Sequence, residues 1–229
     1  MIFTPGPLAG QMSGSLGSVV FSHNKGGAYM RNRVTPTKAT TEYAALAKAR
    51  MTTAAQAWQN LTADQQVAWR EWAKTNPILN AIGQSRIVAG HVAYIRSAVT
   101  AAVTGSSVLD DPPVEPASKS LSSLAATGDI GAGVVSVVFT PSPIEATERL
   151  MVWAAVVDSP GINYVENLYK LVGVRGPETE SPLEIEASIV ARFGTLQVGQ
   201  TLFVKVQVVN DDNLQPSGFM KASVVIETT

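Results

Sequence analysis

The chain has 229 residues, no cysteine and a formal net charge of -1. This length accommodates one large or two small domains, and the absence of cysteine excludes disulfides, cysteine metal ligands and cysteine nucleophiles. No apolar run reaches the length of a membrane span. Residues 1–22 lack the basic and continuous apolar regions of a secretory signal, so we expect synthesis and folding in a cytoplasm.

The charge is divided unevenly along the chain. Residues 1–100 hold ten Lys/Arg against three Asp/Glu, a balance of +7, whereas residues 101–229 hold seven against fifteen, a balance of -8. Such a division favours two parts that face different surroundings, with the basic part attracted to an acidic protein or nucleic acid. Two solvated faces without functional meaning are the alternative.

Residues 1–40 predict an extended basic arm. Glycine and proline recur there without a helical period, and they favour turns and interrupt helices. We expect one hairpin across Asn24-Lys25-Gly26-Gly27. The candidate partner-binding residues combine cationic, aromatic, amide and glycine residues: Phe21, Asn24, Lys25, Gly26, Gly27, Tyr29, Arg31 and Arg33. Such a segment buries little surface alone and can become ordered on a partner.

Residues 41–103 predict a helical domain. Apolar residues recur at helical spacing between 41 and 60. A second helix is expected after Thr62, because Thr62 and Gln65 form a capping-box pattern in which each side chain satisfies an open backbone donor. Pro77 disfavours helical backbone at the preceding residue and ends this helix.

Three tryptophans fall in the first two predicted helices. Trp69 and Trp72 are three residues apart and share a helix face, and Trp58 lies in the preceding helix. We expect all three to pack between the helices of a hairpin; an exposed aromatic contact for a partner is the alternative. A loop over 76–90 then leads to a third helix from Gly90.

The C-terminal half predicts β structure. Prolines, acids and serines make residues 104–120 a linker. The predicted strands are Leu121–Ala125, Val134–Phe139, Leu150–Val157, Leu168–Val174, Ile185–Phe193, Leu202–Val209 and Met220–Ile226. They indicate an antiparallel β-sandwich of immunoglobulin or fibronectin type over residues 121–229, with Trp153 as its core aromatic. The expected fold class is α+β, with an extended arm, a helical hairpin plus a third helix, and this sandwich.

The sequence predicts no catalytic or metal site. Its two histidines, His23 and His91, lie far apart in different elements. The adjacent acids Asp110-Asp111 and Asp211-Asp212 suit Ca²⁺ in one interpretation, but solvated turn acids are favoured. The run GDIGAG at 128–133 precedes a strand and not a helix, so a turn is favoured over a phosphate loop. We therefore expect neither enzyme activity nor a cofactor.

One long segment resembles a module of proteins encoded by tailed bacteriophages and prophages. It reads SGSLGSVVFSHNKGGAYMRNRVTPTKATTEYAALAKARMTTAAQAWQNLTADQQVAWREWA, residues 13–73. The likeness rests on a glycine-rich start, a VFS-x-NKGG-x-Y-x-R-x-R core, a turn at Thr35-Pro36 and a later A-W-x-x-L-T-x-x-Q-x-x-A-W. The stretches FTPSP, LVGV and ARFGTLQVGQTLFVKVQVV are similar to the β domain that often follows.

The resemblance implies a virion structural protein made in the host cytoplasm. We expect a capsid decoration, or cement, protein that binds the major capsid protein or another virion protein through its basic N-terminal region, as a homo-oligomer on the particle and without a membrane. A neck or tail component is the alternative. An internal DNA-binding virion protein is a third hypothesis, because the basic stretch could contact phosphates, but the acidic half disfavours nucleic acid.

Overall fold

The computed structural model describes residues 12–24, 27–35, 41–79, 84–114, 118–131, 134–159, 161–162 and 164–228. Within these ranges the chain has a mixed fold of four helices and antiparallel sheets, with no closed barrel, which confirms the coarse α+β prediction. The chain divides into two compact units, residues 1–46 and 47–229. The predicted domain bounds 1–40, 41–103, 104–120 and 121–229 stay predictions.

The first unit contains a three-stranded antiparallel sheet in the order β1-β2-β3. Its strands are β1 (Gly14–Leu16), β2 (Val19–Asn24) and β3 (Gly27–Asn32). β2 and β3 form the expected hairpin, while β1 was not predicted. β1 joins β2 through a turn at Gly17, whose φ of 58° lies in the left-handed region that favours glycine.

Three helices follow, α1 (Glu42–Asn60), α2 (Ala63–Thr75) and α3 (Gly90–Thr104). The predicted capping box is present at the start of α2. The Gln65 backbone N–H donates to Thr62 Oγ1 over 3.3 Å, and the Thr62 N–H donates to Gln65 Oε1 over 3.1 Å. Two short paired strands, β4 (Ile78–Leu79) and β5 (Ser85–Arg86), occupy part of the predicted loop.

The third helix completes the packing of the tryptophans. Trp69 is fully buried, and its ring centroid and that of Trp58 each lie 5.6 Å from the ring of Tyr94 in α3. The Trp69 indole N–H donates to the carbonyl of Asp110 over 2.8 Å. The tryptophans therefore pack with residues of both α1 and α2, as predicted, while Tyr94 of α3 and the segment after α3 add contacts that were not predicted.

The remaining chain forms two antiparallel sheets and a fourth helix. The elements are β6 (Ser123–Asp129), β7 (Val134–Thr140), β8 (Glu148–Val157), β9 (Lys170–Arg175), β10 (Leu183–Glu184), α4 (Glu186–Phe193), β11 (Thr201–Asn210) and β12 (Met220–Val225). The sheet orders are β10-β7-β6 and β12-β11-β8-β9. Both sheets contribute to one buried cluster, with Phe139 from β7, Leu150 from β8, Leu202 from β11, and Ile189 from α4.

Two predictions for this region are wrong. The segment Ile185–Phe193 was expected to be a strand, but its residues from Glu186 onward form α4. Trp153 was expected in the core, but it is half-buried and lies opposite Lys205. Successive side chains of a strand point to opposite faces. Because the neighbours of Trp153 in β8, Val152 and Ala154, belong to the buried cluster, Trp153 points away from it.

Candidate partner-binding surface

The hairpin of β2 and β3 separates its side chains into two faces. Directly opposite residues of an antiparallel pair share a face, and the face alternates along each strand. The β3 residues that pair with Ser22 and Val20 lie on one face. The pairing continues past the end of β3, where the Arg33 N–H donates to the Ser18 carbonyl over 2.7 Å. We name this the cationic face, and it consists of Tyr29, Arg31 and Arg33.

The cationic face presents its charges to solvent. Tyr29 is half-buried, whereas Arg31 and Arg33 are exposed. In the part of the chain that the structure describes, neither guanidinium has a hydrogen-bond or ion-pair partner. A guanidinium can bind a carboxylate through two parallel N–H donors. Because alternate strand residues are roughly 7 Å apart, the two arginines match carboxylates at alternate positions of another extended strand.

The strand that carries this face lies at an edge of its sheet. Over the described ranges, β3 pairs with β2 alone, so β3 is an edge strand of the described sheet. An edge strand is a template for pairing with a strand of another chain. The two arginines disfavour a basic partner strand and favour an acidic one. An edge strand with exposed arginines in it and just after it can therefore gain affinity from backbone hydrogen bonds to a partner strand and select an acidic partner by charge.

The other predicted site residues divide between the two faces. Phe21 pairs with Met30 on the opposite face of the sheet, where it is half-buried. Asn24 and Gly27 form the last pair of the two strands, at register positions on the same side as the cationic face. Two predicted residues lie outside the described residues: Lys25 and Gly26. The structure thus places five of the eight predicted residues on one side of the sheet and Phe21 on the other.

No metal centre emerges from the described ranges, which contain no group of three or more His, Asp or Glu side chains suited to a metal ion. None of the helices in the same ranges is long and apolar enough to span a bilayer. His91 lies exposed at the start of α3, with its ring centroid 6.3 Å from that of Trp58.

The structure also contains an ion pair that the sequence did not predict. Asp211 was expected to be a solvated turn acid, but its carboxylate accepts a bifurcated hydrogen bond from the single Nε–H of Arg149, over 2.7 Å to Oδ1 and 2.9 Å to Oδ2. It also accepts one from Ser106 Oγ over 2.6 Å. Burial acts to raise the pKa of Asp211, but the hydrogen bonds from Arg149 and Ser106 outweigh burial and lower that pKa. No local pattern reveals this contact, because its partners are far apart in sequence.

A second charged group lies on the outer face of β11. Lys205 Nζ lies 4.5 Å from the ring centroid of Tyr169 and 4.4 Å from that of Phe219, distances at which an aromatic ring attracts a cation. Glu166 forms ion pairs with Lys205, over 3.7 Å, and with Lys221. The hydrogen bond from Lys221 lowers the pKa of Glu166. These contacts cover the face of the sheet to which Trp153 points.

Comparisons with known proteins give little further guidance. No protein-family model matches the chain, and no curated protein matches it. Among solved structures, the crystal structure of a beta-1,2-glucanase from Parabacteroides distasonis matches with 18% identity and a TM-score of 0.29. The match covers 50% of this chain and 14% of the glucanase chain. A likeness at this TM-score supports no inference about fold or activity.

Proposed function

We propose that this chain is a structural protein of a tailed-phage virion, namely a capsid decoration protein that binds the major capsid protein through its N-terminal sheet. The observation that carries the proposal is the cationic face, with Arg31 exposed on an edge strand and Arg33 exposed just after it. The resemblance of residues 13–73 to a phage module supports the virion as the location. A structural role, and not catalysis, is the function that these features favour.

Binding would combine backbone pairing and charge. An acidic strand edge on the capsid protein would extend the sheet at β3, and its carboxylates would pair with Arg31 and Arg33. An acidic shell would attract residues 1–100, which carry a balance of +7, and repel residues 101–229, which carry -8. Many copies would bind one particle, and contacts between neighbouring copies would raise the apparent affinity of each copy for the shell.

We also propose that residues 121–229 form an immunoglobulin-like or fibronectin-like β-sandwich. Support comes from two antiparallel sheets whose residues share one buried cluster. In this proposal α4 is an insertion between β10 and β11 that closes one side of the cluster through Ile189. The acidic balance of this half keeps it soluble and away from an acidic shell.

The proposal is tested by co-sedimentation of the purified protein with empty phage shells, with tails and with duplex DNA, each at low and high salt. We expect saturable binding to shells that weakens as salt rises. The double variant Arg31→Glu/Arg33→Glu should bind shells at least roughly tenfold more weakly, because each guanidinium that pairs with a carboxylate contributes a charged hydrogen bond. Arg86→Glu/Lys119→Glu is the matched control, since both of these residues are exposed and the charge change is equal.

Each other outcome has a distinct meaning. Binding to tails alone would place the protein in the neck or tail, where a copy number of six or twelve would replace hundreds. Salt-labile binding to DNA alone would indicate an internal DNA-binding protein. Equal shell binding by the parent and the Arg31→Glu/Arg33→Glu variant would remove the cationic face from the contact while leaving decoration possible through another surface.

A further inference from the structure

The segment that follows α3 is bound by other elements of the second unit. Its sequence, GSSVLDDPP at residues 105–113, predicts an exposed and semi-stiff linker. In the structure, however, carbonyl and hydroxyl groups of this segment bond to side chains of other elements. Pro112 is half-buried and Pro113 is buried. We name residues 105–113 the connecting segment, and these contacts make it an ordered part of the fold.

Two tryptophans of α2 hold the connecting segment. The indole N–H of Trp69 donates to the Asp110 carbonyl over 2.8 Å. The indole N–H of Trp72 donates to the Pro113 carbonyl over 3.0 Å, and the centroids of the two rings lie 5.6 Å apart. An indole has a single donor, so each tryptophan uses its only donor on this segment. A proline-rich segment on aromatic side chains is a known mode of peptide recognition, and here both partners belong to one chain.

Elements of the sheets hold the same part of the chain. Ser106 Oγ donates to Asp211 Oδ1, just after β11, over 2.6 Å. Arg149 Nη1, in β8, donates to the carbonyl of Thr104 at the end of α3 over 3.2 Å. Leu109 packs against a buried cluster that joins α3 to β8, β11 and the turn after β11: Ala101, Met151, Val209 and Leu214. Polar bonds and apolar contacts therefore connect this part of the chain to the sheets as well as to α2.

The two prolines reduce the entropy that is lost when the connecting segment is held. A proline fixes its own φ, and it restricts the residue before it to extended backbone. Pro112 therefore limits Asp111, and Pro113 limits Pro112. Because the unfolded chain has fewer conformations at these positions, ordering them costs less free energy. The prolines that predict a linker are thus equally suited to a fixed connection.

We propose that the connecting segment is a strap that closes over Trp69 and Trp72 and couples the helices to the sheets. With the strap in place, α2, α3 and the two sheets move and unfold together. With the strap released, the helices and the sheets keep their separate clusters of buried residues but move independently. This coupling does not depend on the N-terminal sheet or on the proposed role on the capsid.

The first experiment measures backbone amide relaxation and urea unfolding of the full chain by NMR. The amides of Leu109, Asp110 and Asp111 should have order parameters of about 0.85, the value of a rigid backbone. The indole signal of Trp69 in α2 and the amide signal of Val204 in β11 should disappear at the same urea concentration, as in one cooperative transition. Order parameters below about 0.6 in the strap, or separate midpoints for the two signals, would overturn the proposal.

Substitutions at the contacts of the strap provide the second experiment. Trp72→Phe removes the indole N–H at a half-buried position and keeps an aromatic ring, and Ser106→Ala removes the hydroxyl that bonds to Asp211. Trp58→Phe is the matched control, because the Trp58 indole N–H has no hydrogen-bond partner among the described residues.

The double variant Trp72→Phe/Ser106→Ala should lower the order parameters of the strap below about 0.6 and separate the two urea midpoints. Trp58→Phe should keep a rigid strap and coincident midpoints, even where both midpoints fall together. Ser106→Ala alone retains every tryptophan, so it should show a smaller change of the same kind in a chain with an intact helical cluster. A rigid strap and coincident midpoints in both Ser106→Ala and the double variant would show that these contacts do not couple the helices to the sheets.

Discussion

Asp211 joins segments that are distant in the sequence. It follows β11, while its partner Arg149 lies in β8 and Ser106 follows α3. Arg149 also donates to the carbonyl of Thr104, the last residue of α3, over 3.2 Å. About a quarter of each charged side chain remains exposed, 24% for Arg149 and 26% for Asp211. The pair is therefore screened less by solvent than an ordinary surface ion pair.

Replacing Asp211 by Asn should lower the free energy of unfolding by roughly 1–3 kcal/mol at neutral pH, because the partly buried Arg149 loses its counter-charge. The folded state lowers the pKa of Asp211, so its contribution is present above the unfolded-state pKa of about 4 and is lost as pH falls through the folded-state value. Urea unfolding of both proteins at pH 7 and pH 3 checks this, and the difference between them should shrink at pH 3.

The neighbouring residue provides the control for this prediction. Asp212 is exposed and lacks an ion pair within the described chain. Asp212→Asn removes the same charge and should change stability by less than about 0.5 kcal/mol. Equal destabilisation by the two substitutions would mean that net charge, and not the contact with Arg149, is responsible.

At the scale of elements, α4 shows where sequence patterns are ambiguous. Ile185, Ile189 and Phe193 recur every four residues, and this spacing places them on one side of a strand and also close to one face of a helix. The period therefore permits both structures. Alanine, glutamate and arginine favour the helix. A helix that packs against the sheet also buries Ile185 and Ile189 in the cluster to which both sheets contribute.

Ala191 offers a direct test of α4, because it is exposed in the helix. Ala191→Gly should lower the free energy of unfolding by up to about 1 kcal/mol, and Ala191→Val by about 0.5 kcal/mol, because both residues are poorer helix formers than alanine. In a strand, valine would instead be favourable. Thermal unfolding of the two variants beside the parent gives the answer, and a stabilising Ala191→Val would contradict the helix.

The sequence predicted those elements whose signals are local. The capping box at Thr62 specifies its own hydrogen bonds, and the strands around Val134 and Thr201 are rich in branched residues bounded by turns. The face of Trp153 was not predictable in the same way, because β8 is apolar on both sides and lacks an alternation. Its pairing with β11, which places Lys205 opposite Trp153, decides the face, and that pairing is a long-range contact.

The candidate surface was predicted in part for the same reason. The hairpin at Asn24 to Gly27 follows from turn chemistry, and period two then puts Arg31 and Arg33 on one face. β3 stays at the edge because β1 adds to the other side of β2. β1 is only three residues long, Gly14–Leu16, and too short to be recognised from sequence. Which side of the hairpin stays open was therefore not predictable.

Across the described chain, the clusters of buried hydrophobic residues and the proposed binding residues lie in different units. All four clusters of buried hydrophobic residues found in the described chain lie between Ala54 and Ile226. The first unit ends at Leu46, so none of these clusters draws on it. Hydrophobic burial is the main favourable contribution to folding. The second unit thus contains the elements needed for independent stability, while the first carries the proposed binding residues.

We therefore expect a fragment of residues 41–229 to fold cooperatively, with a melting temperature within about 4 °C of the full chain, since this shift corresponds to roughly 1 kcal/mol at this size. The same fragment should fail to co-sediment with shells, whereas the full-length Arg31→Glu/Arg33→Glu variant should match the parent in stability and still bind weakly. Calorimetry and sedimentation on the three proteins make the comparison. A much lower melting temperature for the fragment would show that residues 1–40 stabilise the second unit, and its loss of shell binding would then no longer isolate the contribution of the cationic face.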